Sequence, residues 1–153
     1  MNPSITLRLE HALPAEHRDR LLRIAREVDL QPGSRLFDEG QRADRFWIVR
    51  DGTVALDMHV PGRRTPVIET LGTGDLAGWS WLFEPYVWQL GAQATTRVRA
   101  FEFDAVAVRL MCDDDAEFGR ALCRWVGRVL SHRLHAARVR LVDLYGSATA
   151  GGA

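Results

Sequence analysis

In Leu36-Phe37-Asp38-Glu39-Gly40-Gln41-Arg42-Ala43-Asp44-Arg45-Phe46-Trp47-Ile48-Val49-Arg50-Asp51-Gly52, the four large apolar residues Phe46 to Val49 stand together between Asp44 and the turn pair Asp51-Gly52. A run this short, with no polar alternation, predicts a strand buried on both faces or at a sheet corner. Beyond the turn, Val54, Leu56, Met58 and Val60 alternate with Thr53, Ala55, Asp57 and His59, the period of a half-buried strand. Pro61-Gly62-Arg63-Arg64 reads as a hairpin-like turn, with Thr65 to Leu71 as the returning strand. Strands punctuated every eight to twelve residues indicate a sandwich, roll or barrel.

Downstream, three of the five tryptophans fall in Gly78-Trp79-Ser80-Trp81-Leu82-Phe83-Glu84-Pro85-Tyr86-Val87-Trp88-Gln89-Leu90. Gly78 follows the turn-rich run Gly72-Thr73-Gly74-Asp75, and after Pro85 the residues Trp88, Leu90, Ala92 and Ala94 share one face against Gln89, Gly91 and Gln93. The expectation is a tight turn, a short helical or irregular bridge, then a half-buried strand. A pocket lined by Gly78, Trp79, Ser80, Trp81, Trp88, Gln89 and Leu90 would be aromatic and poor in charge. Phe101 and Phe103 continue the strand pattern as far as Asp104.

Helical grammar flanks this region. Pro14 followed by Leu21, Leu22, Ile24, Ala25 and Val28 predicts one amphipathic helix ending before Pro32-Gly33. Residues 1–12 form an N-terminal segment with no clear pattern. Ala105 to Met111 predicts a short helix, and Asp113, Asp114 or Asp115 can cap a long one over 116–145. Thirty residues at 1.5 Å each span about 45 Å. A compact body of about 110 residues is only about 34 Å across, so part of that helix must project. Gly127, Leu130, Leu134, Ala137, Leu141 and Leu144 recur at spacings of three and four, a coiled-coil seam for a parallel homodimer. Val126, Val129, Val142 and Tyr145 form a second stripe that could pack elsewhere, and a helix broken midway and folded back is the alternative. The domain would span 13–146, leaving 147–153 as a disordered tail.

Composition narrows the function. Twenty basic and twenty acidic residues balance, every basic one an arginine, so no global field draws the chain to nucleic acid or membrane. No apolar run approaches a membrane span, and Cys112 and Cys123 lack metal-type pairing, which points to the reduced cytoplasm. His132 and His135 lie three apart with no completing ligand and read as a solvated pair, and His59 reads as surface. No His-x-His with a following Glu supports a cupin-type metal enzyme, and Ser80 has no nearby base, so no catalytic residue is assigned. His11 and His17 are weak options as haem ligands, and two cysteines cannot hold a four-thiolate cluster.

The order of helix, glycine-punctuated strands, short helix and long helix resembles the cyclic nucleotide-binding domain family, of the catabolite activator type. The residues that carry the resemblance are Leu36-Phe37, Gly40-Gln41, Ala43, Phe46 to Val49 and Gly52, with Gly72, Gly74-Asp75 and Gly78 at family-like distances. The chain also looks like stand-alone bacterial versions that carry Gly-Trp-Ser-Trp-Leu and end in Asp-Leu-Tyr-Gly, here Asp143 to Gly146. The resemblance implies a mainly β fold, an eight-stranded antiparallel roll or jelly roll with an N-terminal helix and a long C-terminal dimerisation helix. It further implies a regulatory, non-enzymatic role.

The family's phosphate-binding cassette places a Glu after its Gly for the ribose and, about nine residues on, an Arg-Ser-Ala for the cyclic phosphate. Against that pattern Gly78 is kept, Trp79 stands at the Glu position, Trp88 at the Arg position and Gln89-Leu90 at Ser-Ala. The long helix's purine contacts would fall near Ala137 and Arg138. Deleting one partner of a buried ion pair costs about 3–5 kcal/mol, and the ribose acceptor about 1–2 more, enough to turn a micromolar binder into a millimolar one. Three readings stay open. Arg97, Arg99, Arg128 or Arg133 could supply the phosphate partner of a rebuilt cyclic nucleotide site. The tryptophans could instead stack on an aromatic small molecule, or simply fill the pocket as core. Arg120, Arg124, Arg128, Arg133, Arg138 and Arg140 make the last helix locally basic against Glu117 and Asp143. With charge balanced overall, solvated flanks explain them, direct DNA binding is discounted and a protein partner is expected.

Overall fold

A computed structural model describes residues 13–62 and 65–150, with side chains as far as 146. The N-terminal segment 1–12, the turn residues 63 and 64 and the last three residues lie outside that description. Two four-stranded antiparallel sheets make the body, ordered β1-β8-β3-β6 and β2-β7-β4-β5. In chain order these are β1 Arg26–Leu30, β2 Arg35–Phe37, β3 Arg45–Asp51, β4 Val54–Asp57, β5 Val67–Leu71, β6 Leu76–Ala77, β7 Gly91–Ala94 and β8 Val98–Asp104. Helix α1 (Ala15–Arg23) precedes them, and α2 (Ala105–Asp114) and α3 (Ala116–Ala150) follow. The eight-stranded roll with flanking helices is the architecture expected.

β3 is the hinge of the packing because both of its faces are covered. Phe46 stacks on Trp81 at 3.9 Å and on its cross-strand neighbour Phe103 at 4.7 Å. On the opposite face Trp47 stacks with Phe37 of the other sheet at 5.7 Å, so β3 closes the space between the two sheets. All four residues Phe46 to Val49 are buried, as an unalternating apolar run requires.

β4 departs from simple alternation. It ends at Asp57, short of the expected Val60, and all four of its residues are buried, Asp57 included. Asp57 is held by Arg35 through contacts of 2.5 and 3.0 Å, and those hydrogen bonds keep the guanidinium above its ordinary pKa. Gly91 makes room for the pair: a Cβ there would lie 2.2 Å from Arg35 Nη2 and 2.3 Å from Asp57 Oδ1.

The N-terminal helix is shorter than its sequence pattern suggests. It stops at Arg23, and Val28, expected on the helix, lies in β1 paired with Ala100 of β8. The ladder to a strand some seventy residues away satisfies the backbone of Arg26 to Leu30, and no local window contains that partner. Val28 and Leu30 still pack on the core, which is why both periods fitted the same residues.

α2 begins where Asp104 accepts hydrogen bonds from the amides of Val106 and Ala107, and it runs three residues past the expected Met111. Of the three candidate aspartates, Asp115 caps α3, accepting from Glu117 and Phe118. A hydrogen bond from Arg20 and those amides holds its carboxyl below the ordinary range. α3 is one unbroken helix of 35 residues, about 52 Å long, so the folded-back alternative is excluded. It passes the expected end at Tyr145 and continues through Ala150, taking in four residues assigned to the tail; alanine-rich sequence propagates a helix already established.

The first half of α3 is cemented by Phe118, Leu122, Trp125, Val126 and Val129, all buried. The second half projects, with Leu134, Leu141 and Leu144 exposed at 52, 55 and 70%. The second stripe therefore divides: Val126 and Val129 join the core, while Val142 and Tyr145 stand in solvent.

Candidate functional site

The segment from Gly78 to Leu90 forms the turn, bridge and strand entrance expected of it. Gly78 sits at φ +96°, a 3-10 turn covers Ser80–Leu82, and the alternation from Trp88 leads into β7. Two ties hold the segment in place. Its far end is zipped to the β2–β3 loop, with the Gly40 amide donating to Trp88 O and the Trp88 amide to Gln41 O, each at 2.9 Å. From α2, Arg109 donates to Trp81 O at 2.7 Å and lies over the Tyr86 ring at 4.0 Å. Neither Arg109 nor Arg35 has a sequence signal marking it as a positioning residue.

The tryptophans divide their roles. Trp88 stacks on Phe37 with ring centres 3.9 Å apart and covers Gly78 so closely that a Cβ there would lie 2.4 Å from its Cη2. Trp79 also lines this space, with its ring edge-on to Phe83 at 6.2 Å. Trp81, expected in the pocket, is instead fully buried core: it stacks on Phe46, and its indole N–H donates to Gly78 O at 2.8 Å. The turn at Gly78 points alternate indoles to opposite sides, which residue spacing alone does not reveal. Ser80 is buried, Leu90 is half-buried and Gln89 is exposed at the rim.

What is left between Phe37, Leu56, Gly78, Trp79, Trp88 and Arg133 is a cavity of about 20 Å³. That is room for roughly one water molecule, where small-molecule sites typically run to some 300–1,000 Å³. Of the four candidate phosphate partners, only Arg133 reaches it. Arg133 comes from α3, with its guanidinium donating to Leu76 O and its Nε 3.5 Å from Glu69 Oε2. Burial draws its pKa below the ordinary value, while the charges of Glu69 and Asp75 pull the other way. Arg97 is engaged by Asp29 at the outer edge of the β1–β8 pair, Arg99 is exposed on the same strand, and Arg128 faces a groove beside α1. A second cavity of about 90 Å³ lies next to Arg133, between Glu69, Asp75 and His132. Among the described residues no group of three metal-ligating side chains comes together, and no helix is long and apolar enough to cross a membrane.

Compared with known proteins, residues 27–115 match the family described as cyclic nucleotide-binding domain. The chain belongs to the cyclic nucleotide-binding domain family. It is 32% identical over 117 residues, 76% of its length, to the CRP-like cAMP-activated global transcriptional regulator of Mycobacterium tuberculosis. It spans about half, 50%, of that relative's length. Among solved structures it resembles the N-terminal domain of a transcriptional regulator from Streptomyces coelicolor A3(2), at 30% identity and a TM-score of 0.67, covering 88% of this chain and 91% of that one. A cyclic nucleotide-binding domain from Methylobacillus flagellatus KT shares the fold at TM-score 0.78 and 14% identity, over 92% and 83% of the two chains.

Set against the family's cassette, Trp79 and Trp88 both line the remnant of the roll's interior space, and Gly78 turns the chain between it and the core. Among the described residues, Arg133 is the one charged side chain that lines that remnant.

Proposed function

We propose that this chain is a non-enzymatic regulatory module of the cyclic nucleotide-binding fold whose ordinary nucleotide pocket is closed by its own indole, and which acts through protein contacts. The stack of Trp88 on Phe37 over Gly78 carries this reading: it leaves about 20 Å³ and no free guanidinium for a cyclic phosphate. Titration with cyclic AMP and cyclic GMP at sub-millimolar concentration is expected to leave the melting temperature and tryptophan emission unchanged. A rise of several degrees with either nucleotide would overturn the reading, because only binding to the folded state raises the melting point.

A rebuilt nucleotide site is the second reading, and Arg133 is the observation that favours it. Its guanidinium lines the remnant cavity, so a nucleotide that displaced Trp88 would meet a cation there. That cation is already engaged by Leu76 O and Glu69, so binding would have to break both contacts. An aromatic small molecule taking the indole's place is the remaining ligand class, and direct DNA binding is not part of the proposal.

The module is a cytoplasmic homodimer joined through α3. Leu134, Leu141 and Leu144 are exposed, and Ala137, Leu141 and Leu144 border, with Val67 and Ile68 of β5, an open groove of about 820 Å³. Leaving such a stripe in water is unfavourable, and a second copy of the helix supplies the matching seam. Light scattering is expected to give twice the chain mass for the native protein and a monomer for Leu134→Glu/Leu141→Glu. A native monomer at high micromolar concentration would remove the dimer from the proposal.

A further inference from the structure

On the side of the molecule that Arg128 faces, α1 and the first three turns of α3 enclose an open groove of about 530 Å³. Arg120, Arg124 and Arg128 follow one another along its wall, each exposed and, among the described residues, without an ion pair or hydrogen bond. Residues four apart on a helix rise about 6 Å, so three guanidinium stems stand in a row roughly 12 Å long. Pro14 and Ala121 contribute apolar surface, and among the described residues Glu117 is the only carboxylate on the lining. At the groove's inner end His17 lies edge-on to Phe118, with its Nδ1 buried and without a hydrogen-bond partner. A buried polar atom left unsatisfied is uncommon in a folded protein and marks a place where a further group can bond.

From this we propose that the groove between α1 and α3 docks an acidic helical segment of a partner protein, one with carboxylates at every fourth position. Such a segment repeats its negative charge at the same rise as the arginines, and each arginine offers a planar fork to a carboxylate. Its apolar residues would cover Pro14 and Ala121 at the groove wall. Nucleic acid fits less well. Glu117 lines the groove, and α1 carries exposed Glu16 and Asp19, so the positive row is not part of a broad basic face. The proposal does not depend on the state of the nucleotide pocket, which Arg133 borders from a later turn of α3.

The test uses the full chain and a fluorescein-labelled helical peptide of alanine and leucine with glutamate at every fourth position. Its glutamine counterpart and a short DNA duplex serve as competitors. Saturable binding of the glutamate peptide is expected, weakening as salt screens the charges and falling about tenfold or more in Arg124→Glu/Arg128→Glu. Both arginines are exposed, so an unchanged melting curve for the double variant separates lost binding from lost fold. No saturable binding, equal binding of the glutamine peptide, or equal competition by the duplex would overturn the proposal.

Discussion

Replacing Trp88 by alanine is expected to be among the most damaging single changes in this protein, and to open a cavity that indole can fill. The side chain is 4% exposed, stacked on Phe37 and lying against Gly78, so its removal leaves a void that neighbours fill only in part. Large-to-small changes of this kind cost about 3–5 kcal/mol. At some 2–4 °C per kcal/mol for a chain of this size, the melting temperature should fall by roughly 10 °C or more. The void has the shape of an indole and apolar walls, so added indole should restore several degrees to Trp88→Ala and none to the native protein. Equal melting of variant and native protein, or an indole response in both, would mean that Trp88 does not fill the pocket.

Gly78→Ala should be the next most damaging change, and the same ring is the reason. Two penalties coincide there. The backbone sits at φ +96°, where a Cβ is strained, and that Cβ would lie 2.4 Å and 2.5 Å from Cη2 and Cζ3 of Trp88. Strain and overpacking together should cost about 2–4 kcal/mol. Placing Gly78→Ala on the Trp88→Ala background removes the ring clash and leaves the backbone strain, so the second change should then cost only about 1 kcal/mol. The two positions are thus expected to couple by about 1–3 kcal/mol in a cycle of four denaturant titrations. Strict additivity would show that the indole does not press on Gly78.

Both expectations depend on how the space beside Gly78 is filled. Where the family places a carboxylate and a guanidinium, this chain has two indoles, and one of them, Trp88 just before β7, packs against Phe37 of β2, the neighbouring strand of the same sheet. The stacked aromatic pair contributes apolar burial at this point of the roll. α3 remains tied to the roll through Arg133, which bridges Leu76 of β6 and Glu69 of β5.

What the residues alone determined is local in origin. The unalternating run Phe46 to Val49 pointed to a strand buried on both faces or at a sheet corner, an aspartate among Asp113 to Asp115 to a cap, and a thirty-residue helical pattern to a helix longer than its body. Each conclusion needs only neighbours within a few turns or strands, where side-chain period and capping chemistry act. Tertiary structure decided the rest. Val28 became a strand residue because β8 pairs with it, Trp81 stacks on Phe46 while Trp88 stacks on Phe37 with Gly78 in contact with both, and one arginine of four reached the cavity because α3 crosses there. Those outcomes depend on contacts between segments distant in sequence, and no periodicity within one segment encodes which distant partner it will meet.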